Sequence, residues 1–203
     1  MNTNYNQSKT NTLLTDEKFW KQIPDEKILL FQIDSIMCSN STHKITDYLQ
    51  YDFIGAPWNL IWYPFNKTYL VGNGGFLLRS RSKILALLQL IQYDSFPPDD
   101  HPFNKTYLVG NGGFSLRSRS KILALLQLIQ YDSFPPEDVW YAQNLHRVNA
   151  SIAPVHIAKT FAVESVFYER PVGVHRFTWG CKFRRKISET CPESVMVLPN
   201  GGC

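Results

Sequence analysis

The stretch "TYLVGNGGFSLRSRSKILALLQLIQ", Thr106 to Gln130, decides how the rest of the chain is read. "TYLV" is rich in β-branched and aromatic residues, which favour a strand. "GNGG" (Gly110 to Gly113) breaks it, because glycine tolerates positive φ and turn geometry. "FSLR" resumes extended structure. "SRSKILALLQLIQ" then has Ile122, Leu125, Leu126 and Ile129 at helical spacing on one face, with Ser118 or Ser120 available as a cap. "FPP" (Phe134 to Pro136) stops the helix. The unit is strand, glycine turn, short strand, helix, stop.

The same unit stands one copy upstream. Residues 64–101 and 102–139 are related by an offset of 38 and differ only at Leu77/Ser115, Asp99/Glu137 and His101/Val139. A solenoid needs about three or more stacked units that diverge while keeping a pattern. Two nearly identical copies read instead as a recent tandem duplication or a gene-model error. Only one can fill a given slot in a fold. The second copy is the better candidate: its Glu137-Asp138 runs into the amphipathic "VWYAQNLHRV", whereas Asp99-Asp100 meets "HPFNK", where Pro102 blocks a helix. The first copy then reads as an inserted strand–helix flap.

Working outward, "DEKFWKQIP" (Asp16 to Pro24) is a short helix. "KILLFQID" (Lys27 to Asp34) is a continuous apolar run, the pattern of a strand buried on both faces as in a parallel sheet. "KITDYLQYD" is a helix or turn, and "FIGAPW" (Phe53 to Trp58) a short buried strand. "PEDVWYAQNLHRV" opens a helix with two carboxylates in its first turn, where the dipole favours them. "ASIAPVHIAKTFAVES" (Ala150 to Ser165) mixes strand and loop. Buried strands alternating with helices predict an α/β fold. The expected domains are a polar disordered tail over 1–15, one domain over 16–180 with 64–101 as its duplicate insertion, and a basic flexible tail over 181–203.

With 44% apolar and 14% aromatic residues the chain can bury a real core. Its net charge of +4 lacks the dense basic stripe of a nucleic-acid binder, and "KFRRK" (Lys182 to Lys186) reads as a solvated surface. No apolar run reaches the ~18 residues of a membrane helix, and the polar start lacks the apolar core of a signal peptide, so the chain as written reads as cytoplasmic. Cys38, Cys181, Cys191 and Cys203 form no CxxC pair and read as free thiols. Against that stand Asn-x-Ser/Thr triplets at Asn6, Asn40, Asn66, Asn104 and Asn149, glycosylation acceptors if the chain enters a secretory route.

Four elements stand out by their order: "FQIDS", "GNGGFSLR", "PEDVWYAQNL" and "GVHRF". Each alone has a plain reading, respectively a strand-end turn, a turn, a helix cap and a structural histidine. Together, "LLFQIDSIMCSNS", "DFIGAPW", "VGNGGFSLRSRSKIL", "PEDVWYAQNL" and "FAVESVFYERPVGVHRFTW" resemble the family known as domain of unknown function 5672, over roughly residues 16–180 apart from one repeat copy. That family is regarded as glycosyltransferase-like. The resemblance implies a partial GT-A-like (Rossmann-like) mixed, mostly parallel sheet flanked by helices. It implies transfer of a sugar from a nucleotide-sugar donor to an unknown acceptor, with a divalent Mn or Mg ion on the diphosphate. Carried onto this sequence, Asp34 and His175 are metal ligands. Glu137 and Asp138 supply the base. Gln32, Asn111, Gly112, Gly113 and Ser115 line the donor and acceptor site, the Gly-Gly pair letting a sugar approach the backbone.

Two departures bear on activity. Where the family pattern has Asp-x-Asp, the chain has Gln32-Ile33-Asp34. About 27 residues precede the first strand, too few for a βαβ unit of ~30, so the chain reads as truncated at its amino end, with transfer impaired and a full-length form in the secretory pathway or Golgi. The competing readings are a non-catalytic remnant or binding domain of the same fold, and a metal-dependent phosphate-ester enzyme using Asp34 and His175.

Overall fold

The computed structural model describes residues 7–59, 107–110, 112–175 and 181–196. The first repeat copy (64–101) and Asn111 lie outside the described residues. In chain order the elements are helices α1 (Gln7–Leu14) and α2 (Glu17–Lys21), strands β1 (Lys27–Phe31) and β2 (Ser35–Met37), and a 3-10 turn (Ile45–Tyr48). Strands β3 (Phe53–Gly55), β4 (Pro57–Asn59), β5 (Tyr107–Val109) and β6 (Phe114–Ser118) follow. Then come helices α3 (Arg119–Leu128), α4 (Glu137–Asn144) and α5 (Val155–Phe161), strands β7 (Ala162–Val163) and β8 (Gly173–His175), and helix α6 (Cys181–Thr190).

The fold is mixed α/β. One sheet has the order β1-β6-β3 and a second β2-β8-β7, with β4-β5 as a two-stranded ribbon. The second repeat copy supplies the central strand of the first sheet, and all five residues of β6 are buried. Pleating sends alternate side chains to opposite faces. Phe114 and Leu116 join a cluster with Tyr48, Ile54 and Phe161. On the other side, Trp20, Phe53, Ile122, Leu125, Tyr141 and Leu145 form a second cluster. β1 serves both: Leu29 packs on the first, Ile28 and Leu30 on the second.

The mostly parallel sheet expected from that apolar run is not what pairs. β1–β6, β3–β6, β2–β8 and β4–β5 are antiparallel, and β7–β8 is parallel. An apolar run reports burial on two faces and carries no information on strand direction, so the run was legible and the direction was not. β1 is also only half-buried, with Phe31 at its end exposed and Ile33 just beyond it exposed as well.

Other segments differ from expectation for local reasons. "PVHIAKTF", read as part of a mixed strand-and-loop segment, forms α5, with Pro154 as N-cap just ahead of the first turn and Ala158 and Phe161 buried one turn apart. The segment 7–14, read as a disordered tail, forms α1, whose Leu14 carbonyl accepts from Trp20 Nε1 (2.8 Å) and the Tyr141 hydroxyl (2.7 Å). The carboxyl segment is likewise built in. Ile187 of α6 is fully buried, and a disulfide joins Cys38 to Cys191 across 153 residues. Cys181 is disulfide-bonded as well, so the free-thiol reading is overturned. No spacing rule pairs cysteines this far apart in sequence.

Helix α3 begins where the cap residues suggested, by a different device. Ser118 occupies the N-cap without a side-chain cap bond, its hydroxyl donating instead to Asp52 Oδ1 (2.8 Å). The first-turn N–H of Ser120 is satisfied from another segment by Glu26 (3.2 Å to Oε2), whose negative charge also suits the positive end of the helix.

Candidate functional site

The site is built on the turn between β5 and β6. Gly110, at φ +125°, turns the chain out of β5. Gly112 donates its N–H to Asp138 Oδ2 at 2.8 Å, which ties the turn to the first turn of α4. The Gly113 carbonyl accepts from the Gln32 N–H (2.9 Å) and from the Ser35 hydroxyl, which ties the same turn to the β1–β2 connection. Asp34 lies in that connection.

Space at the turn explains its composition. A Cβ on Gly113 would stand 2.2 Å from the His175 ring, and one on Gly112 would stand 3.0 Å from Glu137 Oε1 and 3.1 Å from Asp138 Oδ2. The close approach expected of a bound sugar is thus made by the protein's own residues: imidazole on one side, carboxylates on the other.

His175 ends β8, opposite Ser35 in the register, and is buried. Its Nε2 lies 3.4 Å from Asp34 Oδ1 and its Nδ1 3.6 Å from Glu164 Oε1. Asp34 is more open than its neighbours, its side chain 27% exposed against 5% for His175. Glu164 follows β7 directly. Nothing in "FAVES" singled it out; the signal available was its position at the carboxyl end of a short apolar strand, the place where polar site residues gather in α/β sheets.

Asp138 is partly buried. Burial, followed by the neighbouring Glu137 charge, raises its pKa to about 6 against the opposing pull of the Gly112 N–H and Arg117. Its Oδ1 also accepts from the Val139 N–H at 2.8 Å. A carboxylate poised near neutrality can take a proton and give it up at working pH.

Glu137 has a different engagement. Both its oxygens accept from Arg117, at 2.7 Å and 3.2 Å, and Arg117 is 0% exposed. The guanidinium lies 5.3 Å from the centroids of both Phe53 and Tyr141. Burial alone would lower the Arg117 pKa, but Glu137 outweighs it and the net shift is upward. The contact is bidentate, and the guanidinium lies over two rings. Ser115, fully buried on the same face of β6, accepts from Arg117 Nε at 3.1 Å. Glu137 and Ser115 therefore sit in a scaffold under the turn, while Asp138, Gly112, Gly113, His175 and Asp34 form a connected row. Gln32 enters that row through its backbone. No motif in the sequence marks Arg117, although an arginine in the middle of "FSLRS" demands a buried counter-charge once that strand is central.

Among the described residues no group of three or more His, Cys, Asp or Glu is arranged to hold a metal ion. Asp34 and His175 offer two donors, a hard oxygen and an imidazole nitrogen, which suit Mn²⁺ when a ligand's own oxygens complete the shell. Among the described residues no helix is long and apolar enough to cross a membrane.

The profile of a family described as "Protein of unknown function (DUF5672)" matches residues 2–107 and again 95–175. The two matches overlap within the duplicated region, as expected of a chain that carries one family segment twice. No curated protein and no solved structure matches the chain.

Proposed function

The chain belongs to the DUF5672 family, and from that premise we propose that it is a glycosyltransferase-like domain that transfers a sugar from a nucleotide-sugar donor to an acceptor hydroxyl. The observation that supports this best is the convergence of three motifs, far apart in sequence, on the glycine turn of a fourth: Asp138 bonded to Gly112, His175 packed on Gly113, and Asp34 beside His175. The finer fold reading, a partial GT-A-like sheet, rests on motif order rather than on strand direction.

In this reading Asp138 is the base. Sugar transfer requires the acceptor hydroxyl to lose a proton as it attacks the anomeric carbon, and a carboxylate with a pKa of about 6 accepts that proton near neutral pH. The Gly112 N–H fixes one carboxylate oxygen, so the group is oriented before the acceptor arrives. Glu137 acts through Arg117: it fixes the start of α4 and hence the position of Asp138, and its nearby charge helps hold Asp138 at that pKa. Asp34 and His175 would hold a divalent cation there, and that cation would supply the positive charge that offsets the departing diphosphate. Glu164, facing the other imidazole nitrogen, orients the ring so that Nε2 faces Asp34.

The test is release of nucleoside diphosphate from a panel of nucleotide sugars with Mn²⁺ present. Release is expected from at least one donor, at an impaired rate, because Gln32-Ile33-Asp34 keeps one carboxylate of the family's Asp-x-Asp pattern. Asp138→Asn is expected to lower it by about 10²–10⁴-fold, the usual contribution of a positioned acid or base. Full turnover by that variant removes Asp138 from the base role.

A further inference from the structure

Two observations outside this site bear on one residue. The first is covalent: Cys38 is bonded to Cys191, and Cys181 is also oxidised. Structural disulfides form and persist in oxidising compartments. The second is the set of Asn-x-Ser/Thr triplets, two of which, at Asn40 and Asn149, lie among the described residues. Both asparagines are exposed.

Their surroundings separate them. The Asn40 side-chain nitrogen, the atom a glycan would occupy, donates to the Glu189 carbonyl at 3.3 Å, and the Asn40 N–H donates to Thr190 O at 3.1 Å. Asn40 is also two residues from Cys38, so disulfide closure draws this triplet against α6. Asn149 stands at a turn tip instead. It is left-handed (φ 51°) and ends the 3-10 turn Leu145–Val148. Its backbone carries the turn, with its N–H on His146 O (3.1 Å) and its carbonyl accepting from Lys121 Nζ (3.1 Å). The third residue of the triplet, Ser151, is tied down through its main chain: its N–H donates to Asp52 Oδ2 (2.9 Å) and its carbonyl accepts from the Asp52 and Phe53 N–H groups. A substituent on the Asn149 amide extends from an exposed tip and breaks none of these bonds.

We propose that Asn149 is a site of N-linked glycosylation, modified in the oxidising compartment where the disulfides form. In the transfer, the Asn149 Nδ2 loses a proton and forms a C–N bond to the anomeric carbon of a lipid-diphosphate-linked oligosaccharide. The anomeric C–O bond breaks and the lipid diphosphate leaves with its electron pair. No oxidant or reductant is consumed.

The experiment is peptide mapping of the full chain secreted from eukaryotic cells behind a cleavable leader. Enzymatic deglycosylation converts a modified Asn to Asp, which a mass spectrum of the peptide spanning Asn149 reads directly. A non-reducing map of the same sample reads the Cys38–Cys191 bond. The expected result is conversion at Asn149 in the disulfide-bonded protein, with complete loss of conversion in Ser151→Ala. That substitution keeps the Ser151 main-chain bonds and the left-handed asparagine. An unmodified Asn149 peptide in disulfide-bonded protein overturns the proposal, as does secreted protein that lacks the disulfide.

Discussion

Glu137→Ala should be among the most damaging single substitutions in this protein. The Arg117 side chain is 0% exposed and that of Glu137 5%, so neither has water to fall back on. Removing the carboxylate strands a guanidinium between Phe53 and Tyr141, with Ser115 as its remaining hydrogen-bond partner in the scaffold. Breaking one side of such a pair costs about 3–5 kcal/mol, most of it the burial of an uncompensated charge. For a domain of this size 1 kcal/mol shifts Tm by ~2–4 °C, so the loss is roughly 6–20 °C. Replacing both partners with apolar residues of similar volume, Arg117→Met with Glu137→Leu, removes the stranded charge and should recover a large part of that loss. The assay is thermal unfolding of both single variants and the double variant, closed as a cycle. A double variant as unstable as the sum of the singles, or a Glu137→Ala protein as stable as wild type, refutes the assignment of Glu137 to the scaffold.

Other expectations follow from the same geometry. Gly113→Ala places a methyl 2.2 Å from the His175 ring, so it should displace the imidazole, cost about 1–3 kcal/mol in urea unfolding, and weaken Mn²⁺ binding with it. Glu164→Gln should reduce Mn²⁺ affinity by about 10-fold, the low end for an outer-shell carboxylate, while leaving the unfolding midpoint nearly unchanged. Turnover should fall below about pH 6 as Asp138 takes up a proton. Because the folded pKa lies above the ordinary value of 3.8, Asp138 contributes a loss of stability as pH rises between about 4 and 6. Asp138→Asn should remove that contribution, and identical pH–stability curves for the two proteins contradict it. Cys38→Ser with Cys191→Ser should cost about 2–5 kcal/mol and release α6 from β2, measurable as lost hydrogen-exchange protection at Ile187.

Much of the local structure was legible because its signals are local. The strand–turn–strand–helix reading of 106–130 needed only β-prone residues, glycines and a 3.6-residue period, and β5, β6 and α3 lie where those signals put them. The short helix in 16–24 and the acidic first turn of α4 are similarly short-range. What remained hidden depends on contacts between distant residues. The antiparallel pairing of β1 with β6 joins segments about 90 residues apart, and the apolar pattern of β1 suits either direction. The Cys38–Cys191 bond and the Arg117–Glu137 pair are invisible for the same reason. The glycines show a mixture: their presence marked the site, but the cause differs, since at Gly113 the excluded volume is the His175 ring. Glu164 lies inside the resembling stretch "FAVESVFYERPVGVHRFTW", but its place beside His175 becomes visible only when β7 is laid beside β8.

The central claim is that Asp34 and Asp138 flank one donor site with separate duties, one holding the metal-bound diphosphate and the other acting on the acceptor. Calorimetric titration of a nucleotide sugar into the full chain, with and without Mn²⁺, tests it most directly when repeated on Asp34→Ala and Asp138→Asn. The account predicts binding that requires Mn²⁺, weakens by about 10-fold or more in Asp34→Ala, in line with the loss of a group that holds the metal, and is unchanged in Asp138→Asn. Binding that is indifferent to Mn²⁺ and to Asp34, or no binding of any nucleotide sugar by the wild-type chain, contradicts it.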